Sequence, residues 1–254
     1  MLEKVDTIWM DGEFVDWDDA KVHILTHTLH YGMGAFEGIR SYRRADGSSV
    51  VFRLREHIVR LLQTCKLGLM ACPHSVETLM EATVETLRRN RLAEGYIWPL
   101  VYIGLHDMGL YAPKNPVCTA IAAWKWGAYL GDEGLQNGVR AKISSYMRLS
   151  PKSALNKGKL SGHYVNSILA RWEVRAGGYD EAILMDQDGH PCEASGENLF
   201  IVTDGVVKTP PYGSSILAGI TRDTALRLLQ DSGIRVVEQR FGRDELFLAD
   251  EVFM

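Results

Sequence analysis

The chain has 254 residues, of which 46% are apolar and 24% charged, the balance of an ordinary globular protein, which excludes disordered, collagen-like and disulfide-scaffold classes. Twenty-eight basic residues against 32 acidic ones give a formal charge of −4, scattered along the chain, so nothing points to nucleic acid or an anionic membrane as a partner. No window approaches the roughly 18 consecutive apolar residues of a membrane span, and the start MLEKVDTIWMDGEF carries acids where a secretion signal needs a basic then apolar run; a cytoplasmic location is expected.

The opening TIWMDGEFVDW alternates apolar and polar residues around Asp11-Gly12, a pair that tolerates φ > 0 and closes hairpins. Ile58, Leu61, Leu62, Cys65 and Leu69 then recur at helical spacing, and Ser75 opens a second helical stretch through Val76, Met80, Val84 and Leu87. The runs YIWPLVYIGL and CTAIAAW predict buried strands, so residues 1–125 form a small α+β domain. A polar, glycine-bearing stretch, residues 126–138, predicts an interdomain loop. Residues 139–254 start with a strand, VRAKISSY, and a helix from Gly162 to Ala176 stopped by Gly177-Gly178. Strand AILMDQDG, a hairpin around Asp204-Gly205, a helix starting near Thr221 and strand RVVEQ complete the second domain.

Four cysteines, Cys65, Cys72, Cys118 and Cys192, form no C-x-x-C pair, and buried reduced thiols are expected. The run from Tyr31 to Gly38 has G-x-G-x-x-x-G spacing without a strand-turn-helix frame and is not a dinucleotide motif; its glycines allow tight turns or close approach of a ligand. His27 and His30, an i, i+3 pair without acidic company, are expected in core or surface roles, and no metal site is expected. No serine-nucleophile signature is present.

Three segments carry chemistry with two readings each. At LAGITRD a glycine and Thr221 stand where a helix begins; the free N–H groups and helix dipole there suit a phosphate, or Thr221 caps its helix. Lys152, Lys157 and Lys159 precede a helix, where partial burial and a positive helix end disfavour ammonium; each is a nucleophile or base candidate, or an ordinary solvated lysine. At EASGENLF two carboxylates stand beside an apolar strand start, and a buried acid there contacts a cofactor or forms one end of an ion pair.

Six segments in order, HYGMGAFEGIR, FRLREHIVRL, KLSGHYVNSILA, EASGENLFIV, LAGITRD and LADEVFM, resemble the successive motifs of the branched-chain amino acid aminotransferases, members of the class IV (fold type IV) pyridoxal-phosphate enzymes. The resemblance spans essentially the whole chain. It implies a two-domain α+β fold, with a small α+β domain and a larger β-barrel-like domain flanked by helices. It implies pyridoxal 5′-phosphate held covalently on Lys159, which then moves the proton of the reaction. Glu193 matches the acid on the pyridine nitrogen, Tyr164 the residue beside the phenolic oxygen, and Leu217 the apolar residue on the ring face. Arg60, Ile220 and Thr221 match the phosphate-binding positions. Phe36, Tyr96, Trp126 and Tyr129 match the substrate pocket, while Tyr31, Met108 and Leu110 match positions at a subunit boundary; Arg40 is assigned a supporting role. A homodimer or an assembly of dimers is expected, acting on amino acids and 2-oxo acids.

Two departures follow. Bacterial members commonly read Tyr-x-Arg where this chain has Tyr96-Ile97-Trp98; Trp98 cannot receive a side-chain carboxylate by ion pairing, so weaker use of glutamate and 2-oxoglutarate is expected. The chain stops at DEVFM, where the family continues into a Thr-Gly-Thr-like loop and further elements, so a C-terminal segment is expected to be missing. An R-selective amine transaminase or D-amino acid aminotransferase of the same fold is the alternative, and a non-catalytic cofactor-binding protein is the reading from another class.

Overall fold

The computed structural model describes residues 3–127 and 131–254. Backbone contacts divide the chain into two compact units, Met1–Tyr129 with Gly158–Gly162, and Leu130–Lys157 with His163–Met254.

The first unit begins with strands β1 (Thr7–Met10) and β2 (Glu13–Asp16). Asp11 and Gly12, at φ 46° and 104°, close them into a hairpin as the Asp-Gly pair requires. Helix α1 (His27–Tyr31) ends on Gly32 in the left-handed conformation, φ 70°. Strands β3 (Gly34–Phe36), β4 (Ile39–Arg43) and β5 (Ser49–Val51) follow. Helix α2 (Leu54–Leu67) and helix α3 (Val76–Arg89) come next, then the long strands β6 (Gly95–Ile103) and β7 (Val117–Trp124).

The sheet runs β2-β1-β7-β6-β4-β5, with β3 also paired to β6. Antiparallel β6 and β7 are in register from Tyr96↔Trp124 to Ile103↔Val117, so their side chains sort onto two faces. Ile97, Val101, Ile121 and Ala123 are buried in one cluster with Ile58 and Leu61 of α2 and Leu79 and Leu87 of α3. Each large aliphatic side chain buried there contributes about 1.5–3 kcal/mol. Tyr96, Trp98 and Trp124 occupy the other face and are half-buried. Ser75 caps α3, its side chain accepting from the Thr78 N–H at 3.1 Å.

In the second unit helix α4 (Gly131–Asn137) and strand β8 (Ala141–Ile143) precede helix α5 (Tyr164–Ala176). Strands β9 (Glu181–Met185), β10 (Pro191–Ala194), β11 (Phe200–Thr203) and β12 (Val206–Thr209) follow. Helix α6 (Ile220–Asp231), strand β13 (Val236–Glu238), helix α7 (Glu245–Leu248) and strand β14 (Glu251–Phe253) complete it. One sheet is ordered β10-β9-β8, the other β13-β12-β11-β14. Asp204 and Gly205, both at positive φ, turn β11 into β12. Ala170 and Val174 of α5 pack on Ala182 and Leu184 of β9; Ile183, Leu199, Ile201 and Phe241 make a separate core.

Local expectations and structure differ at several places. The first long helix stops at Leu67, and Leu69 stands in the left-handed turn beyond it, φ 55° and 93% exposed. The strand expected over VRAKISSY shortens to Ala141–Ile143, because Ser144 and Ser145 turn to the Glu173 carboxylate of α5. Short strands β3 to β5 carry too few alternating residues, with glycine between them, to announce themselves. All four cysteines are free thiols, Cys65 and Cys192 buried and the other two half-buried; burial, with Cys72 nearby, pushes the Cys65 thiol up to about 12. Among the described residues no helix is long and apolar enough to cross a membrane.

Candidate active site

The first unit gathers its chemistry along β3, β6, α2 and the segment 158–162, which docks on this unit although the chain has already left it. Its backbone pairs in sequence: Lys159 N–H donates to Thr64 Oγ1 at 3.1 Å, Phe36 N–H to Lys159 O at 3.2 Å, and Gly162 N–H to Gly32 O at 3.0 Å. The last contact requires glycine, since a Cβ on Gly32 would stand 2.9 Å from Gly162 Cα. Held this way, Lys159 is half-buried and its Nζ lies 4.8 Å over the Phe36 ring.

From Phe36 an aromatic array leads across the half-buried face of the sheet. Trp98 stacks on Phe36 at 4.7 Å and 8°, and Tyr96 tilts against Trp98 at 5.9 Å. Trp126 meets Tyr96 edge-on at 4.7 Å and lies near Trp124 at 5.9 Å. Arg40, on β4, donates to the carbonyls of Trp126, at 2.6 Å, and Gly127. Arg60 lies on α2 and forms a two-pronged pair with the buried Glu37. Tyr31 ends α1 and is 43% exposed, with its ring 4.6 Å from that of His27; Met108 and Leu110 are also exposed. Tyr129 lies outside the described residues. His27 Nε2 meets Gly109 O at 2.9 Å and His30 Nε2 meets Ile24 O at 2.8 Å, so both histidines serve the backbone.

The second unit assembles an anionic centre. Glu193 ends β10 buried, its Oε1 2.7 Å from Arg148 Nη2; Oε2 accepts from Leu217 N–H at 3.0 Å and Asn198 Nδ2 at 3.2 Å. Asn198 also donates to Leu217 O at 2.9 Å, so Glu193 and Leu217 are brought together by one amide. Glu193 is thus one end of an ion pair. Past Leu217 the chain enters α6 through Gly219, the N-cap residue, which makes no side-chain cap. The capping reading of Thr221 is therefore replaced: Ile220 and Thr221 lie in the first turn, where N–H groups point out of the helix end. Tyr164 opens α5 and is half-buried.

The three lysines separate clearly. Lys152 is exposed. Lys157 directs its ammonium to the carbonyls of Tyr212, Ser214 and Ile216, the latter two at 3.0 Å, and burial lowers its pKa. Its three donors are thereby used. Lys157 also lies over a ring, that of Tyr212 at 4.5 Å, so what sets it apart from Lys159, over Phe36, is its three carbonyl acceptors.

Sequence reasoning passed over Glu37, His57, Thr64, Arg148 and Asn198. Only the first left a trace, as an acid inside the apolar run AFEGI; the others acquire meaning from partners far along the chain.

Each unit by itself offers groups of the kinds that suit a phosphorylated pyridine aldehyde. In the first unit an amine stands on an aromatic face and an arginine pairs with a buried acid; in the second a buried carboxylate is held by Arg148, Asn198 and the Leu217 N–H, and α6 begins at a glycine. A class IV amino-transferase model matches residues 34–254. The chain belongs to that family and is a pyridoxal-phosphate-dependent transaminase of fold type IV. Its relatives are more particular. It is 45% identical over 253 residues to the branched-chain-amino-acid aminotransferase of Pseudomonas aeruginosa, covering 100% of this chain and 82% of that one. The crystal structure of the Escherichia coli branched-chain amino acid aminotransferase matches with a TM-score of 0.97 at 46% identity, covering 99% of this chain and 83% of that one. The branched-chain amino acid aminotransferase of Thermobaculum terrenum, in its PLP form, matches with a TM-score of 0.91 at 30% identity, covering 99% of this chain and 82% of that one.

Proposed function

We propose that this transaminase moves the amino group between leucine, isoleucine or valine and 2-oxo acids. The observation that carries this reading is the aromatic array that begins at the Lys159 amine: Phe36, Trp98, Tyr96 and Trp126 form a continuous apolar wall. Such a wall takes branched aliphatic side chains by burying their methyls, at about 0.8 kcal/mol per CH₂.

Pyridoxal phosphate, when bound, supplies an aldehyde that captures the substrate amine and a ring that accepts the electrons left at Cα. Lys159 is the residue for the aldehyde carbon and, as a free amine, for carrying the proton from substrate Cα. Glu193, kept in place by Arg148, Asn198 and the Leu217 N–H, would accept a hydrogen bond from the pyridine nitrogen and keep that nitrogen protonated. Arg60 and the first turn of α6, with Ile220 and Thr221, are the phosphate partners. Tyr164 is assigned to the phenolic oxygen and Leu217 to the ring face; Tyr31 and Tyr129 join the pocket residues.

Trp98 makes the wall neutral where a side-chain carboxylate would need a cation. Weaker saturation by 2-oxoglutarate than by an uncharged 2-oxo acid is expected in steady-state rates. Ordinary saturation by 2-oxoglutarate overturns that part. The same neutral wall favours a second reading, an R-selective amine transaminase, which a panel of L-amino acids, D-amino acids and neutral amines separates from the first. Exposed Leu29, Tyr31, Leu110 and Tyr111, between 43% and 92% exposed, support a homodimer, checked by sedimentation; a cytoplasmic location is proposed with it.

The reading is tested by colour. The purified protein should absorb in the visible, lose that band to borohydride and change spectrum when leucine is added. Lys159→Ala should still take up some cofactor but no longer become covalently labelled by borohydride. A wild-type spectrum indifferent to leucine would refute it.

A further inference from the structure

Glu37 has no part in the roles assigned above, yet it is 0% exposed and ionic. Burial alone raises its carboxyl, and hydrogen bonds from His57 and Arg60 outweigh this and hold it below the usual carboxylate range. Oε1 accepts from Arg60 Nε at 2.6 Å, while Oε2 accepts from Arg60 Nη2 and His57 Nδ1, both at 2.8 Å. The acid is itself fixed by the backbone, its N–H donating to Pro99 O at 3.0 Å. His57, Arg60 and Thr64 follow at i, i+3 and i+7 on α2 and share one helix face, and Thr64 holds the Lys159 backbone.

Two parallel bonds to one carboxylate define the plane of a guanidinium, which a single bond or a solvated arginine does not. From this geometry we propose that Glu37 is a positioning residue: it fixes the orientation in which Arg60 presents its charge to the cofactor phosphate. The proposal rests on the cofactor reading given above. It concerns aim rather than charge, and the two can be separated. Glu37→Asp keeps the negative charge and draws the carboxylate back by one methylene, so the two-pronged pair cannot form as it stands.

The wild-type chain and E37D, both stripped of cofactor, are titrated with pyridoxal phosphate and with pyridoxal, which lacks the phosphate, and bound cofactor is read by absorbance. Thermal unfolding is recorded for each. The expected result is a loss of about tenfold or more in pyridoxal-phosphate affinity with pyridoxal affinity unchanged. Equal weakening toward both ligands would mean that Glu37 only maintains the fold, and an unchanged phosphate preference would mean that Arg60 needs no guide; either overturns the proposal. If E37D does not fold, E37Q replaces it, leaving Arg60 one neutral acceptor, and the same outcomes decide. A wild type that binds neither ligand overturns the cofactor reading first, and this inference with it.

Discussion

Gly38 shows how little room the aromatic wall leaves. A Cβ built there would stand 1.9 Å from the Tyr96 hydroxyl and 2.8 Å from the ring carbon that carries it. Tyr96 is in turn in contact with Trp98, Trp124 and Trp126, so it cannot yield without disturbing its neighbours. Gly38→Ala is expected to cost about 1–3 kcal/mol of stability by overpacking, measurable by denaturant unfolding. On the reading proposed above, in which the wall takes the substrate side chain, it should also raise KM for leucine more than it lowers kcat. Gly219 is constrained alike, its added Cβ lying 2.1 Å from Asn198 Oδ1, beside the amide that joins Glu193 to Leu217.

Among elements, the turn from β10 to β11 carries a second acid with a different fate from Glu193. Glu197 lies near Glu181 of β9, which is 0% exposed and paired with Arg171 of α5 at 3.1 Å. One arginine thus serves two carboxyls, and Glu197 Oε1 is buried without a hydrogen-bond partner. Burial first, and the Glu181 charge second, push the Glu197 carboxyl from an ordinary 4.5 up to about 7. The sign follows. Between those values the folded chain holds a proton that the unfolded chain has released, so stability falls as pH rises through the interval and levels off above it. The displacement is worth about 3 kcal/mol at most. Glu197→Gln, neutral at every pH, should gain on the wild type as unfolding is followed from about pH 5 to about pH 8. A constant gap across that range would show that Glu197 is ionised throughout.

At the scale of the whole molecule, each unit contains its own apolar core. Ile58 belongs to the cluster of the first unit and Ile201 to one of the second, and both are 0% exposed. Ile58→Ala and Ile201→Ala are each expected to cost about 2–5 kcal/mol. Because the two clusters share no residue, the double variant should equal their sum within about 0.5 kcal/mol. Unfolding free energies of the four proteins check this, and a shortfall larger than that would reveal coupling between the cores.

Much of the local fold was legible in the sequence because its causes lie within a few residues of each other. Asp11-Gly12 and Asp204-Gly205 announce hairpins through their tolerance of positive φ, Ser75 announces a helix start by reaching the Thr78 N–H, and the apolar spacing of α2 and α3 is written in one turn after another. The motifs likewise singled out Lys159, Glu193, Arg60 and the entry to α6 as the candidates whose roles are proposed above. Tertiary structure alone decided how those groups are held. It set Lys157 on three carbonyls and Lys159 on Phe36, joined Arg60 to Glu37, and joined Glu193 to Arg148. It also returned residues 158–162 to the first unit. These pairings link residues far apart in the chain, and a buried charge takes whichever partner the backbone path brings within about 3 Å; no local propensity encodes that distance.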